Sequence, residues 1–275
     1  MPVVPATIAS GFHFLEAPRW RDDRIWFSDF YGHRVHSARE DGEDLRTEAV
    51  VEQQPAGLGW LPDGRLLVVS MLDRKVLRRE QDGTMVTHAD LGAHATGHAN
   101  DMVLDAEGRA YVGNFGFDLM NGAPLETASL HRVDPDGTVT EAADGLYFPN
   151  GSVITSGRVL IVNETFGNRC TAFDVTADGD LVNRRIWAEF GPLPGQGDQD
   201  DQGDSDPGEG DRGKAAVAPD GACLDAEGAL WIADAMGSRL LRVADGEVTD
   251  ELRPDSPVYA CALGGADGRT LYACA

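Results

Sequence analysis

The sequence predicts an all-β fold, a six-bladed β-propeller with four-stranded antiparallel blades, on three observations. First, a short hydrophobic segment runs six times into a tight turn that a second hydrophobic strand follows. Second, these turns recur 41, 44, 49, 71 and 40 residues apart, at Asp23, Gly64, Gly108, Gly157, Gly228 and Gly268. Third, most units continue into another strand that ends at an Asp-Gly turn. A period near this length is typical of one structural unit copied side by side.

The strands of each unit follow from local turn chemistry. The turn-plus-strand segments are WRDDRIWFSD, LPDGRLLVVS, DAEGRAYVGN, TSGRVLIVNE, DAEGALWIAD and GADGRTLYAC. Third strands come next, as in SLHRVDPDG from Ser129, and a fourth follows, as in TVTEAAD from Thr138. Asp-Gly between apolar runs favours a hairpin because both residues accept positive φ. Four antiparallel strands per repeat make a propeller blade, and one ring of blades predicts a single domain over 1–275.

The sixth unit looks incomplete, because the sequence ends at Ala275 just after its second strand. A closed ring requires its strand edges to be covered. We expect the N-terminal stretch Val3–His13 to supply the outer strand of this last blade, which still leaves a third strand missing.

One segment departs from the repeat and explains the long 71-residue spacing. Residues 195–213, GQGDQDDQGDSDPGEGDRG, hold seven acids and one arginine. Such a composition buries too little apolar area to order itself. We predict an acidic disordered insert here, since the spacing of a calcium-binding loop is absent.

Composition limits the partners. The formal net charge of −23 argues against nucleic acid and anionic membrane surfaces. The start, MPVVPATIAS, lacks the features of a signal peptide, and no apolar run approaches the ~20 residues of a membrane helix. We therefore expect a cytoplasmic protein with reduced cysteines, although Cys223 and Cys261 fall on innermost strands of neighbouring blades, where a pair could form. Oligomeric state is not predicted.

Oxygen-bearing side chains recur at the start of the innermost strands, seven or eight residues before each turn. The six residues at this position are Glu16, Gly57, Asn100, Asn150, Asp220 and Ala260. Equivalent positions of a propeller face one another across the central channel, so the four oxygen donors should converge. Asn-Gly and Asp-Gly are also common turn pairs, but a shared repeat phase is harder to assign to turns.

Oxygen donors without Cys or His favour a hard divalent cation. Calcium is the first expectation, with zinc, manganese or magnesium as alternatives. Two carboxylates and two neutral amides would neutralise a divalent ion, so the sequence predicts one metal held by Glu16, Asn100, Asn150 and Asp220.

These motifs resemble the senescence-marker-protein/gluconolactonase family of regucalcin-like propellers. The resemblance lies in EAPRW (16–20), HANDMVLDAEGRAYVGNFGFD (98–118), FPNG (148–151) and PDGACLDAEGALWIAD (219–234) and extends over nearly the whole chain. It implies a divalent metal on Glu16, Asn150 and Asp220, with Asn100 beside the metal or the substrate. It also implies that Asp101 supports the site or hydrogen-bonds substrate.

The sequence departs from the family pattern at His98, where many members have arginine. This puts a sugar-lactone preference in doubt, and His98 is open as a substrate contact, an acid/base group or a rim residue. Phe115 and Phe148 are candidate aromatic walls of the substrate pocket, with packing between blades as the equal alternative.

The function expected from these residues is metal-dependent hydrolysis of a small lactone or ester. The metal would polarise the lactone carbonyl and water would attack. Asp220 is the expected catalytic proton acceptor, although the resemblance to diisopropyl fluorophosphatase propellers leaves a nucleophilic role open. The alternatives are an organophosphate or aryl-ester hydrolase of similar fold, and a propeller that binds calcium or a small molecule without turnover.

Overall fold

A computed structural model describes residues 5–193 and 217–275 as a ring of antiparallel sheets. Each sheet meanders outward from an innermost strand. The first two four-stranded sheets comprise β1 (Leu15–Arg21), β2 (Arg24–Asp29), β3 (Arg34–Ala38) and β4 (Arg46–Val50), then β5 (Pro55–Trp60), β6 (Leu66–Ser70), β7 (Lys75–Arg79) and β8 (Met85–Asp90). The third comprises β9 (Ala99–Leu104), β10 (Ala110–Asn114), β11 (Ala128–Val133) and β12 (Val139–Leu146), with a 3-10 turn at Leu119–Asn121 after β10.

The second half of the chain repeats this arrangement. The fourth sheet comprises β13 (Pro149–Ile154), β14 (Val159–Glu164), β15 (Arg169–Val175) and β16 (Leu181–Glu189). The fifth comprises β17 (Pro219–Leu224), β18 (Leu230–Asp234), β19 (Arg239–Ala244) and β20 (Glu247–Leu252). A final pair consists of β21 (Ala260–Gly264) and β22 (Thr270–Cys274). The predicted insert at 195–213 lies outside the described residues.

The prediction of six blades is wrong. Within residues 5–193 and 217–275, five sheets have four strands and form complete blades, whereas the sixth repeat contributes the two-stranded sheet β21–β22. The innermost strands contact in chain order, and β21 lies between β17 and β1. The two-stranded sheet thus fills the gap between the fifth and the first blade without being a blade itself.

The N-terminal segment does not add the outer strand that we expected. Residues 5–14 contain no strand and lie against blade one instead. The ring of Phe12 packs 5.1 Å from that of Phe27, and the backbone N–H groups of His13 and Phe14 both donate to Asp29. These contacts bury aromatic surface and satisfy a buried carboxylate, which pairing with the edge of β22 would not do.

The core lies between neighbouring sheets rather than in one central mass. Buried aliphatic side chains such as Leu67, Val112 and Leu230 lie on the second strands of the blades and belong to hydrophobic clusters shared by neighbouring sheets. Trp20 stacks on Tyr272, with ring centroids 5.5 Å apart, and so joins blade one to the two-stranded sheet. The thiols of Cys223 and Cys261 lie 3.8 Å apart across the neighbouring strands β17 and β21, and both cysteines are free.

Candidate functional site

A β-bulge interrupts the innermost strand of all five blades at the same level. The pairing register shifts between Glu16 and Arg19 in β1, between Pro55 and Leu58 in β5, and at the corresponding places in β9, β13 and β17. A bulge changes the direction of the side chains within it and is common beside functional sites. The four predicted oxygen donors all lie at these bulges: Glu16, Asn100, Asn150 and Asp220.

Blade two carries no side-chain oxygen donor at the level of the bulges. Gly57 was predicted to be the equivalent of the four donors in this blade, but the equivalent residue lies one position earlier. The paired residues Leu15, Pro55, Ala99, Pro149 and Pro219 begin the five bulged regions. The residue after each is the candidate ligand, and in blade two this residue is Ala56. Gly57 is instead the counterpart of Asp101 in blade three.

The structure brings the carboxyl groups of Glu16, Asp101 and Asp220 together, and we call these three the channel cluster. Each is desolvated, and their charges interact across three blades. Burial, followed by the charge of Asp101, raises the pKa of Glu16 to about 8. Burial, then Glu16 and Asp101, raises the pKa of Asp220 well above its ordinary value. Burial is the largest cause of all three shifts, and the charge of a neighbouring carboxyl adds to it for Glu16 and Asp220.

Asp220 is the least satisfied member of the channel cluster. Its side chain is 6 % exposed, and its Oδ1 atom is buried without a hydrogen-bond partner among the described residues. The backbone is held firmly, since the amide of Asn163 donates to the Asp220 carbonyl at 2.6 Å. A buried carboxylate oxygen without a hydrogen-bond partner raises the free energy of the folded state. Such an oxygen is expected to bind a ligand.

Asn150 is oriented by its own hydrogen bonds. Its amide nitrogen donates to Thr165 Oγ1 at 3.1 Å, and Thr165 in turn donates to the Pro219 carbonyl at 2.9 Å. The Asn150 amide also hydrogen-bonds the Asp220 carboxyl and opposes the rise of its pKa. These bonds use the donor end of the amide, which leaves the carbonyl oxygen as the end available to a cation.

Asp101 is held by Arg19 rather than being free for substrate. Arg19 Nη2 lies 2.7 Å from Asp101 Oδ1, which also accepts the Met102 N–H at 2.8 Å. Burial raises the pKa of Asp101, and Arg19 partly opposes this rise. Arg19 lies within the EAPRW motif, and no role was predicted for it, because nothing local in the sequence indicates a partner 82 residues away.

The predicted substrate contacts divide into one partly exposed residue and two buried ones. His98 is half-buried, and its ring lies 5.8 Å from that of Phe115. Burial lowers the pKa of His98, which keeps its imidazole neutral at pH 7. Phe115 and Phe148 are only 8 % and 6 % exposed and pack together in the core at 4.5 Å. They offer little surface to a substrate.

Phe148 nevertheless has an unusual backbone directly before the site. Its φ is +57°, although a bulky residue before a proline avoids this region. Ala17, which follows Glu16 and also precedes a proline, has φ +48°. Its N–H donates to Glu16 Oε2 at 3.2 Å. Strain of this kind concentrates at functional sites, where the surrounding structure enforces it.

A second set of buried polar residues ends the second strand of four blades. These residues, which we call the turn-anchoring ring, are Asp29, Asn114, Glu164 and Asp234. Each accepts backbone N–H bonds from the segment before its innermost strand: Asp29 from Phe14, Asn114 from Gly97, Glu164 from Tyr147 and Asp234 from Ala218. The turn-anchoring ring therefore fixes where each bulge begins. It was not predicted as part of the site.

The donor set fits a hard divalent cation. The predicted ligands are two carboxylates and two amides, and Asp220 Oδ1 has no hydrogen-bond partner among the described residues. Among the residues that the structure describes, no group of three or more His, Cys, Asp and Glu side chains is arranged to hold a metal. Two of the four predicted ligands are asparagines, which are outside that set of residue types.

The described residues also include no helix that is long and apolar enough to cross a membrane.

These features define the class of protein, a β-propeller whose bulged blades carry a buried acidic cluster. The chain matches the SMP-30/gluconolactonase/LRE-like family over residues 14–275 and belongs to that family. The resemblance predicted from the four motifs is thus confirmed.

Individual relatives are similar over most of their length. Pentonolactonase XacC of Haloferax volcanii is 28 % identical, over 94 % of this chain and 79 % of the relative. Regucalcin of Danio rerio is 26 % identical, over 94 % and 81 % of the two chains. Among solved structures, the calcium-binding protein regucalcin of Agrobacterium tumefaciens has a TM-score of 0.73 at 17 % identity, over 94 % and 81 %, and supports the fold alone.

Proposed function

We propose that this protein is a divalent-metal-dependent hydrolase that opens the ring of a small lactone. The observation that carries the proposal is the channel cluster, in which Asp220 presents an unpaired buried oxygen beside Glu16 and Asp101. Desolvation of mutually repelling carboxyls costs stability and is expected at functional sites. Membership of the family and similarity to a pentonolactonase favour lactones over other esters.

The proposed metal ligands are Glu16, Asn100, Asn150 and Asp220. Oxygen ligands of mixed charge and amide character suit calcium best, while zinc, manganese and magnesium are alternatives. When bound, the ion would supply Lewis acidity that stabilises negative charge on the carbonyl oxygen.

The protein's own residues supply proton transfer and orientation. Asp220 Oδ1, which has no hydrogen-bond partner within the described chain, is the proposed proton acceptor for the attacking water. Attack by the Asp220 carboxylate itself is the alternative role. The Asn163 and Asn150 hydrogen bonds hold Asp220 in place, and Glu16 acts only as a ligand.

The proposed substrate-binding residues are His98, Phe115 and Phe148. His98 is the partly exposed group beside the site and, being neutral, would donate or accept a hydrogen bond without attracting an anion. Phe115 and Phe148 would act through packing, because so little of either ring is exposed.

The test is lactone hydrolysis, followed with a pH indicator, by metal-stripped protein with and without added calcium, zinc, manganese or magnesium. We expect turnover that a chelator abolishes, and loss of turnover of at least about a hundredfold in Asp220→Asn, the size typical of a general base. Asp267→Asn, in an exposed turn, is the matched control and should keep full activity. Full activity of Asp220→Asn would remove this residue from the mechanism.

A second candidate is a propeller that binds calcium without turnover, which the similarity to regucalcins favours. The same protein sample discriminates the two functions. Calorimetric calcium binding without hydrolysis of any lactone or aryl ester in the panel would support the binding protein. Chelator-sensitive turnover would exclude it.

A further inference from the structure

One buried ion pair joins blades that are not neighbours. Arg19 lies on β1 of blade one, and Asp101 lies on β9 of blade three. Arg19 Nη2 contacts Asp101 Oδ1 at 2.7 Å and the Met102 carbonyl at 2.9 Å. The side chains are 22 % and 7 % exposed, so the pair is largely shielded from solvent.

The intervening strand leaves room for this contact. Strand β5 of blade two lies between β1 and β9, and Gly57 stands on it beside Asp101. A Cβ atom at Gly57 would lie 2.6 Å from the Met102 nitrogen and 3.0 Å from the Asp101 Cα. Blade two therefore approaches β9 by backbone alone, and the Arg19 side chain reaches past it.

The pair changes the charge balance of the proposed metal site. Glu16 and Asp220 alone would match a divalent ion, but Asp101 brings a third negative charge into the same cluster. Arg19 is the positive charge that acts on both Glu16 and Asp101. Three carboxylates and one guanidinium have a formal charge of −2.

We propose that Arg19 is a positioning residue that offsets Asp101, holds the β9 bulge carrying Asn100, and thereby sets the site to prefer divalent over trivalent cations. This inference rests on the proposed metal site. It assigns to Arg19 a role in cation choice rather than in the reaction itself.

The test compares calcium and terbium(III) binding to metal-stripped, full-length protein by calorimetry. The measured quantity is the ratio of the calcium Kd to the terbium Kd. Arg19→Met should raise this ratio about tenfold or more, because one further unit of negative charge attracts the trivalent ion more strongly. Asp101→Asn should lower it by a similar factor, and the double variant should return to the wild-type ratio.

Two further variants and one fallback comparison make the result decisive. Arg19→Lys keeps the charge and should keep the wild-type ratio. Arg109→Met is the matched control, because Arg109 forms a similarly buried 2.7 Å pair with Asp105 that does not contact the channel cluster, and it should leave the ratio unchanged. If Arg19→Met fails to fold, the comparison of Asp101→Asn with the double variant still tests the prediction.

The outcomes separate the two proposals. Equal ratios in Arg19→Met, Asp101→Asn and the wild type would overturn the role of Arg19 while leaving the metal site intact. A wild-type protein that binds neither ion would overturn both. The predicted order of ratios in a protein without lactone hydrolysis would support Arg19 and contradict only the lactonase.

Discussion

The channel cluster and the turn-anchoring ring are both sets of buried polar side chains, but they are satisfied very differently. Asp234 accepts the Ala218 and Gly237 N–H groups, both at 3.0 Å, and pairs with Arg239 at 2.7 Å. Asp220, in the same blade, leaves Oδ1 without a partner inside the described structure. Asp220 and Asp234 are both buried, at 6 % and 0 % exposure. Burial therefore does not distinguish structure from function here, whereas the number of hydrogen bonds does.

The pKa values of the two sets move in opposite directions where a shift is resolved. Burial alone would raise the pKa of Asp29, but hydrogen bonds from Phe14, His13 and Gly32 lower it below its ordinary value. In the channel cluster, burial raises the pKa of all three carboxyls, and like charges raise those of Glu16 and Asp220 further. The fold thus stabilises charge in the turn-anchoring ring and destabilises it in the channel cluster.

The largest predicted effect breaks the turn-anchoring ring. Asp234→Ala should reduce the free energy of unfolding by about 3–5 kcal/mol, because Arg239 and two buried N–H groups lose their partner. Urea denaturation of the metal-free variant and wild type measures the change. A loss below about 1 kcal/mol would show that Asp234 is no more structural than an exposed acid.

The next effect concerns the close approach of two blades at the site. A Cβ at Gly151 would lie 2.3 Å from the Asp220 carbonyl oxygen, so Gly151→Ala must displace β17. We expect a loss of about 1–3 kcal/mol from overpacking, together with weaker metal binding. Gly83→Ala is a useful control for added methyl volume, since nothing lies within 4 Å of its Cβ position, although its φ of +86° adds strain. Unchanged calcium affinity in Gly151→Ala would contradict the expected displacement.

A smaller effect is the pH dependence of the metal-free protein. The pKa of Glu16 is raised in the folded state to about 8 from 4.5, so its contribution to stability is present at low pH and is lost as pH rises through 8. Between pH 6.5 and 8.5 the free energy of unfolding should fall by about 1–2 kcal/mol. Buried histidines such as His88 and His131 have lowered pKa values, and they destabilise the fold only below about pH 6.5.

Denaturation curves at pH 6.5 and 8.5 for wild type and Glu16→Gln test this dependence. The variant should lose most of the slope, because its amide does not titrate. An identical slope in both proteins would assign the pH dependence to another group.

The smallest predicted effect has the opposite sign from the first. Asp220→Asn should stabilise the metal-free protein by about 1 kcal/mol, since it replaces a carboxyl whose ionised form burial disfavours with a neutral amide of the same shape. Thermal unfolding in chelator measures the gain. Destabilisation similar to that of Asp234→Ala would remove the contrast between the two sets.

The repeat and the candidate ligands could be predicted because both depend on short-range sequence features. Each blade has its own hairpin turns, so the four-stranded antiparallel blade followed from apolar strands and Asp-Gly pairs, although the predicted number of six blades was wrong. The positions of Asn100, Asn150 and Asp220 followed from counting back from each turn. In blade two, the same counting reached Gly57 instead of Ala56, because the turn-to-bulge distance differs by one residue between blades.

The predictions that were wrong concern contacts between segments that are distant in the sequence. The N-terminal segment packs against blade one rather than the edge of β22, because it forms hydrogen bonds to Asp29 and an aromatic contact with Phe27 there. The sequence of residues 5–14 alone does not indicate these partners. The final repeat, left with two strands, does not make a sixth blade.

The amino-acid sequence by itself determined the β-sheet units, the repeat phase of the oxygen donors, the family and the acidic charge of the chain. Only the tertiary structure decided that those donors lie at β-bulges and that Arg19 pairs with Asp101 across blade two. It also decided that Asp220 keeps a buried oxygen without a partner among the described residues. The physical reason is that strand propensity and turns act over a few residues, whereas desolvation and charge compensation depend on which distant groups share the same small volume.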